Sequence, residues 1–505
     1  MAFVEVYPAV PTSRVSSSLL ALPFDALEMI FHQLHPRDLV QLVRVSRNMN
    51  EIAIPFLYPT VHFHLPGHIS ATDALLSKLE AFSDQDFTLL RHTTRVLISG
   101  TWYHAYDEIE SKLGLENVVS PAVRMLNTLI TVCVSKMPNL RAFIWDSQIA
   151  PTQKLISMVA LATRMEYLQL RVATDGSPTP YFHPTLKLGG FSKLRSLNII
   201  DVKITSALQS VGNALYSSEQ LSELAIWADE DVILSLDVIF SGWPGPRTLN
   251  LKSLDLRKFS NAGWSAPSLW QHISAACLRD LTLEVGSLLQ PDDYNGFWEG
   301  AVAAGIRPTT LRTNLISEGL TNFIYSCNGL EVFLLTACLL PRPLPPISIF
   351  LETIISEHFK SLRVLAIHAQ GPDESEYLLD RKLLASLSSR CTKLEELGFK
   401  ILEQNQADVH LIFQLPLLRA LHIDFAGDLN FDMQELSHLK LRKQVAECLS
   451  RMARHSLAYI AFDEGPVYAI QVNPVRWHVR SNMIWYIRDT VIFREKMFDW
   501  VSTIK

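Results

Sequence analysis

Residues 194–226, LRSLNIIDVKITSALQSVGNALYSSEQLSELAI, decide how the rest of the chain reads. Leu194, Leu197 and Ile199 stand at the first, fourth and sixth places of a short run, and Leu221, Leu224 and Ile226 repeat that spacing further on. The alternation between Leu197 and Ile199 is that of a strand with one face buried. Between the two runs, residues 204–216 carry the period of a helix. One strand and one helix cannot enclose their own leucines. Stacked on copies of itself, however, such a unit shares a continuous core with its neighbours.

Copies stand on both sides. Upstream are NLRAFIW (Leu140, Phe143, Trp145) and RMEYLQL (Met165, Leu168, Leu170). Downstream come LKSLDL (Leu251, Leu254, Leu256), LRDLTL (Leu278, Leu281, Leu283), LEVFLL (Leu330, Phe333, Leu335) and LRVLAI (Leu362, Leu365, Ile367). LEELGF (Leu394, Leu397, Phe399), LRALHI (Leu418, Leu421, Ile423) and LAYIAF (Leu457, Ile460, Phe462) complete the series. Most starts are roughly 24–32 residues apart. The gap from Leu278 to Leu330 is longer and leaves room for a degenerate copy around Leu311. Helical stretches are expected between copies at 121–136, where Ser120 would cap and Pro121 open the helix, and at 265–276, 347–358, 374–389 and 436–453. The array resembles a leucine-rich repeat, with one departure. The Asn or Cys three residues past the last Leu is met only by Cys338, while Gln148, Val202, Asp229 and Gln370 stand there in other copies. That departure implies uneven turns and irregular curvature. A mixed α/β domain without a superhelix is the competing fold.

Ahead of the array lies LPFDALEMIFHQLHPRDLVQLVRVSRNMNEIAIPFLYPTVHF, residues 22–63. Leu27, Ile30, Phe31 and Leu34 fall on one helical face, and Leu39, Leu42, Val43 and Val45 begin a second. Pro36 suits the first turn of that second helix, and Asp38 sits near its positive end. A third helix, 47–53, is expected to stop before Pro55. Three short helices cannot enclose a self-sufficient core, so part of their apolar surface needs cover from elsewhere.

This stretch resembles an F-box: Leu22-Pro23, Asp25, Ile30-Phe31, Leu34, Asp38-Leu39 and Val45-Ser46-Arg47 stand where the family has its characteristic pairs. Asp25 replaces Glu, Ser46 replaces Cys and Met49 replaces Trp, and residues 56–63 look like the segment that often follows the box in fungal members. The resemblance implies docking onto the Skp-family adaptor of a cullin–RING ubiquitin ligase through Leu22, Pro23, Leu27, Ile30, Phe31, Leu34, Leu39 and Leu42.

The expected fold is therefore α/β: a flexible tail at 1–18, an F-box at 19–63, a connector at 64–92, an irregular leucine-rich-repeat-like solenoid at 93–462, and a C-terminal hairpin and helical cap at 463–505. Within the connector, Thr72-Asp73 announce a helix at 74–82. Residues 459–479 read as the hairpin and 482–501 as the cap, while 341–346 (PRPLPP) is a stiff surface loop and 373–376 a solvated helix start.

Composition narrows the function. With 48% hydrophobic and 19% charged residues the chain is globular, and a net charge of −6 without a lysine/arginine block argues against a general nucleic-acid binder. The six cysteines are scattered, and no N-x-[ST] acceptor occurs, which fits a reducing compartment. The first 18 residues lack signal-peptide character, and the apolar run 332–341 is too short for a bilayer, so an intracellular protein, cytoplasmic or nuclear, is expected without a membrane partner.

No catalytic motif is present, so no enzyme activity and no cofactor is expected. His62, His64 and His68 form an H-x-H-x3-H cluster, read as a polar strand edge rather than a metal site because no Cys or carboxylate ligand stands nearby. Asp292-Asp293 and Asp463-Glu464 are read as turn residues. If the first, fourth and sixth repeat positions serve the core, the third, fifth and seventh point to the concave side. Among these, Tyr167, Arg171, Trp227 and Arg257 are the types that anchor protein interfaces and form the candidate client-binding patch. The leading expectation is a substrate-recognition subunit whose client is unknown. The alternative is a repeat scaffold acting outside ubiquitin transfer.

Overall fold

The computed structural model describes residues 22–65, 69–84, 88–100, 121–147, 151–172, 187–229, 234–243, 247–259, 268–286, 294–336, 347–368, 378–401, 403–425, 456–462, 467–471 and 476–481, with isolated positions at 149 and between 443 and 448. The expected tail at 1–18, the loop at 341–346, the helix start at 373–376, the cap at 482–501 and the residues Ser120, His68, Cys338, Gln148, Gln370, Asp292-Asp293 and Asp463-Glu464 lie outside them. So does most of the helix expected at 436–453.

The chain opens with α1 (Phe24–Gln33), α2 (Pro36–Val43) and α3 (Arg47–Leu57). Pro36 stands at the start of α2, and the His35 ring accepts a hydrogen bond from the Arg37 backbone at 3.2 Å. Ser46 caps α3 by accepting from the Met49 N–H at 3.1 Å, so the residue that departs from the family pattern has a structural use here. The third helix does not stop at Ala53 as expected; it runs through Pro55 to Leu57. A proline deprives the carbonyl four residues earlier of its bond, and here that residue is the exposed Glu51, whose carbonyl water can serve.

The remaining strands form one 16-stranded sheet in strict sequence order. It starts at β1 (Thr60–Leu65), β2 (Arg95–Gly100), β3 (Ala142–Ser147), β4 (Tyr167–Arg171), β5 (Ser196–Val202) and β6 (Glu223–Ala228). It continues with β7 (Ser253–Phe259), β8 (Asp280–Val285), β9 (Thr310–Thr313), β10 (Val332–Thr336), β11 (Val364–His368), β12 (Glu396–Ile401), β13 (Ala420–Phe425) and β14 (Tyr459–Phe462). Strands β1 to β14 pair in parallel, each with its predecessor. The expected hairpin is present: β15 (Val467–Gln471) pairs antiparallel with β14, and β16 (Arg476–Ser481) adds a further antiparallel strand. The degenerate copy looked for around Leu311 is β9. Strand order that follows chain order is what a solenoid requires and a mixed α/β domain does not.

Helices α4 (Ile69–Ser83), α5 (Pro121–Ser135), α6 (Gln153–Ala160), α7 (Thr205–Ser217), α8 (Ser268–Gln271), α9 (Asn295–Ala303), α10 (Glu318–Ser326), α11 (Ile347–His358) and α12 (Arg381–Arg390) link strands. Three corrections concern their limits, the first being that the helix expected over 374–389 starts only at Arg381, capped by Asp380, because Leu378 pairs with Lys400. The connector helix begins at Ile69, so Thr72-Asp73 lie inside it rather than capping it. The helix expected over 265–276 is only the four residues of α8, because Ile273 leaves it to form a parallel bridge with Leu249. The first, fourth and sixth repeat positions form the core wherever their burial is described: Leu194, Leu197, Ile199, Leu221, Leu224 and Ile226 are at most 3% exposed. One cluster of buried apolar side chains runs unbroken from Val61 to Ile460.

Candidate functional site

The three-helix bundle has its own small core. Leu27, Phe31, Leu39, Met49 and Ala53 are its buried members, with Leu34, Leu42, Val43, Ile52, Phe56 and Leu57 packed partly buried around them. Phe31 and Phe56 meet edge to face at 5.4 Å between ring centroids. The eight residues expected to touch an adaptor therefore separate by depth. Leu27, Phe31 and Leu39 are at most 3% exposed and hold the bundle together from inside. Leu34 and Leu42 are half-buried, whereas Leu22, Pro23 and Ile30 are exposed.

The exposed set is larger than the sequence suggested. Phe24 (60%), Met29 (71%), Val40 (38%) and Val45 (69%) join Leu22 and Ile30 in solvent. Phe24, Met29 and Val40 stand off the faces that the helical period marks, whereas Val45, expected on the second face, lies past the end of α2 at Val43 and is in solvent. Exposed apolar side chains scattered singly need no explanation, but six within 22–45 are a concentration that no other stretch of the described residues matches.

The bundle is joined directly to the sheet. The Pro59 carbonyl accepts from the Thr94 and Arg95 backbone N–H groups at 3.0 Å each and from the Thr94 hydroxyl at 3.0 Å. On β1, alternation turns Val61, Phe63 and Leu65 inward and leaves His62 and His64 outside. Their rings are 5.9 Å apart and both reach the Ser99 hydroxyl, His62 Nε2 at 2.7 Å and His64 Nδ1 at 3.3 Å. Burial, then the neighbouring His64, holds the His62 imidazole below its ordinary value. Among the described residues no group of three or more His, Cys, Asp or Glu is placed to hold a metal ion.

Of the four client-patch residues, Trp227, Arg171 and Arg257 are half-buried and Tyr167 is buried. Trp227 and Arg257 are register partners on β6 and β7, with the guanidinium 4.4 Å from the indole centroid. Arg171 ends β4, bonded to Asp146 at 2.8 Å and to Asp201. Tyr167 lies at the other end of β4 and is only 7% exposed, and its burial pushes the phenol above its ordinary value. Arg257 is held bidentate by Asp255 at 2.7 Å on both arms and faces Glu284 at 3.5 Å, and the buried Arg312 also bonds Glu284, at 2.9 Å. The sheet face turned away from the helices is thus a fixed charge network, with Trp227, Arg171 and Arg257 half-buried in it. Two left-handed residues shape it: Asp201 (φ 58°) and Lys258 (φ 62°) stand where the registers of β5 and β7 shift, and the first is the one bonded to Arg171.

Three of the described cysteines are unsuited to thiolate chemistry. Cys133, Cys327 and Cys391 are buried, which pushes their thiols up to about 12, 12 and 11 respectively, so the thiolate form is scarce. No helix among the described residues is long and apolar enough to cross a membrane.

Comparison with known proteins agrees with the bundle's reading. Residues 19–64 match the F-box-like family model. No curated protein matches the chain. Among solved structures, a chain of the crystal structure of the Rad7 and Elc1 complex in yeast is similar at a TM-score of 0.42 and 15% identity, covering 81% of this chain and 89% of that one.

Proposed function

We propose that this protein is the substrate-recognition subunit of an SCF-type ubiquitin ligase. Its F-box-like domain would dock the Skp-family adaptor and, through it, a cullin, while the repeat array would hold a client protein. The observation that carries this reading is the coincidence of the F-box-like match at 19–64 with six exposed large apolar side chains, Leu22, Phe24, Met29, Ile30, Val40 and Val45. Such a receptor does no covalent chemistry. It raises the client's effective concentration at the site of transfer. Leu22, Pro23, Ile30, Leu34 and Leu42 supply contact surface, joined by Phe24, Met29, Val40 and Val45, and Leu27, Phe31 and Leu39 keep that surface in shape. Trp227, Arg171 and Arg257 remain the candidate client contacts, with Tyr167 a buried support at the far end of β4.

The test is adaptor binding by purified full-length protein. Met29→Asp with Ile30→Asp should weaken binding by at least about 100-fold, since burying two carboxylates in an apolar contact costs more than the roughly 2.7 kcal/mol that factor represents. Thermal stability should stay put, because neither side chain is in the bundle core. No adaptor binding by the intact protein would overturn the reading. A repeat scaffold outside ubiquitin transfer is the second reading, and it predicts adaptor capture without any cullin in the complex.

A further inference from the structure

In each helix-to-strand turn, the residue just before the strand donates its N–H to the carbonyl of its counterpart in the previous repeat. The chain of bonds runs without a break: Arg195 to Glu166 at 2.7 Å, Ser222 to Arg195 at 2.9 Å, Lys252 to Ser222 at 2.7 Å, Arg279 to Lys252 at 2.9 Å, Thr309 to Arg279 at 2.8 Å. These residues therefore form a row along one edge of the sheet, one per strand, about 4.8 Å apart. Over β5 to β8 the charged members of the row are Arg195, Lys252 and Arg279, all exposed. Arg307, two residues before Thr309, extends the run toward β9 and is also exposed.

At the β4 end the row opens into a hollow of about 330 Å³ lined by Arg141, Thr163, Arg164, Glu166, Lys193 and Gln220. Its one carboxylate, Glu166, is already bonded to Arg141 at 2.9 Å. Arg164 is steadied by Asn139 at 3.0 Å and Lys193 by the Thr163 carbonyl at 2.9 Å. Each cation keeps further donors, since a guanidinium has five and an ammonium three. In a chain where 51 acidic residues outnumber 45 basic ones, this edge gathers cations in a concave place.

The geometry points to this edge, from the Arg164–Lys193 hollow along Arg195, Lys252 and Arg279, as a docking track for an extended, carboxylate-rich protein segment. This names the chemistry of the client and rests on the proposed receptor reading only in calling the segment a client. The span from β5 to β8 is about 14 Å, which roughly five extended residues cover. A protein segment suits the track better than a nucleic acid does. The exposed Glu219, Glu223 and Asp280 border the row, and an unbroken phosphate backbone would meet them, whereas a peptide can set neutral residues there and carboxylates opposite the cations.

The experiment uses full-length protein and a fluorescent Glu/Asp-rich dodecapeptide, with its Gln/Asn counterpart and a single-stranded oligonucleotide as comparison probes. Arg195→Glu/Lys252→Glu/Arg279→Glu should weaken the acidic peptide by at least about ten-fold. Lys78→Glu/Arg124→Glu/Lys154→Glu changes net charge equally on exposed helix positions and should leave binding within two-fold of wild type. The proposal is overturned if the acidic peptide binds no better than the Gln/Asn peptide, if both triple variants lose binding alike, or if the oligonucleotide binds more tightly than the peptide. Adaptor binding measured on the row variant separates the two readings: its retention leaves the receptor reading standing whatever the peptide does.

Discussion

The helical bundle and the repeat array solve the same problem from opposite sides. The bundle buries five apolar side chains and leaves six large ones in solvent; the array places one continuous apolar cluster behind fourteen parallel-paired strands. Of the fourteen large hydrophobic side chains exposed among the described residues, those six lie within 22–45, and the rest are spread over the whole array. Repetition lets each unit cover its neighbour. A short unit that occurs once has no such neighbour, and its uncovered side is where a second protein is expected.

The sharpest way to break this contrast is to empty each core in turn. Trp298, 1% exposed and packed 5.0 Å from Phe323, should cost about 3–5 kcal/mol as Trp298→Ala, read as a lowered melting temperature of the array. Phe31→Ala removes the centre of a far smaller core. Hydrogen exchange should then show α1–α3 losing protection while β3–β13 keep theirs; loss of protection across the whole sheet would show that the two regions melt as one.

A smaller effect is expected at Gly212 in α7. A Cβ there would lie 2.0 Å from the Ile239 carbonyl oxygen, and the Gly212 carbonyl accepts from the Trp243 indole at 3.3 Å. Gly212→Ala should destabilise by about 1–3 kcal/mol through overpacking, with adaptor binding unchanged. A loss of adaptor binding there would mean that the array's packing controls the bundle.

The mildest test uses pH. His358 is fully buried between α10 and α11, its Nε2 3.2 Å from the Ile324 carbonyl, and burial holds its imidazole below the usual 6.5. The fold keeps it neutral while the unfolded chain takes a proton. Its contribution is therefore complete above about pH 6.5 and declines as pH falls below that, by at most about 1.4 kcal/mol per unit. His358→Leu should flatten that decline, read as the melting temperature of the array followed against pH.

Much of this architecture was legible in the residues, and the reasons differ by place. Leu-x-x-Leu-x-Leu spacing revealed the strands because strand alternation and repeat stacking demand the same positions. The copy at β9 is nearly silent, since Leu311 is followed by Arg312 and Thr313, yet the long gap pointed to it. Strand β1 shows in the sequence as Val61, Phe63 and Leu65 alternating with His62 and His64, but nothing there marks it as the first strand of the array. In the bundle, periodicity identified the residues that pack inward, Leu27, Phe31 and Leu39, more surely than the ones that reach solvent. Phe24, Met29 and Val40 escaped because a helical period picks out one face and says nothing of apolar residues off it, while Val45 fits the period but stands past the end of α2 at Val43. The basic row escaped for another reason: Arg195, Lys252 and Arg279 lie far apart in the chain, and only strand pairing brings them into line.

Strand β1 has one more consequence. Because Thr60–Leu65 pairs with β2 immediately after α3, no slack linker separates α1–α3 from the sheet. The molecule is then a gauge of fixed length: whatever holds the helices also sets how far, and in which direction, each later strand stands from that anchor. Inserting one strand–helix unit would move everything beyond it by about 4.8 Å, and in an assembly where a lysine has to meet a reactive end, that step would change which lysine arrives.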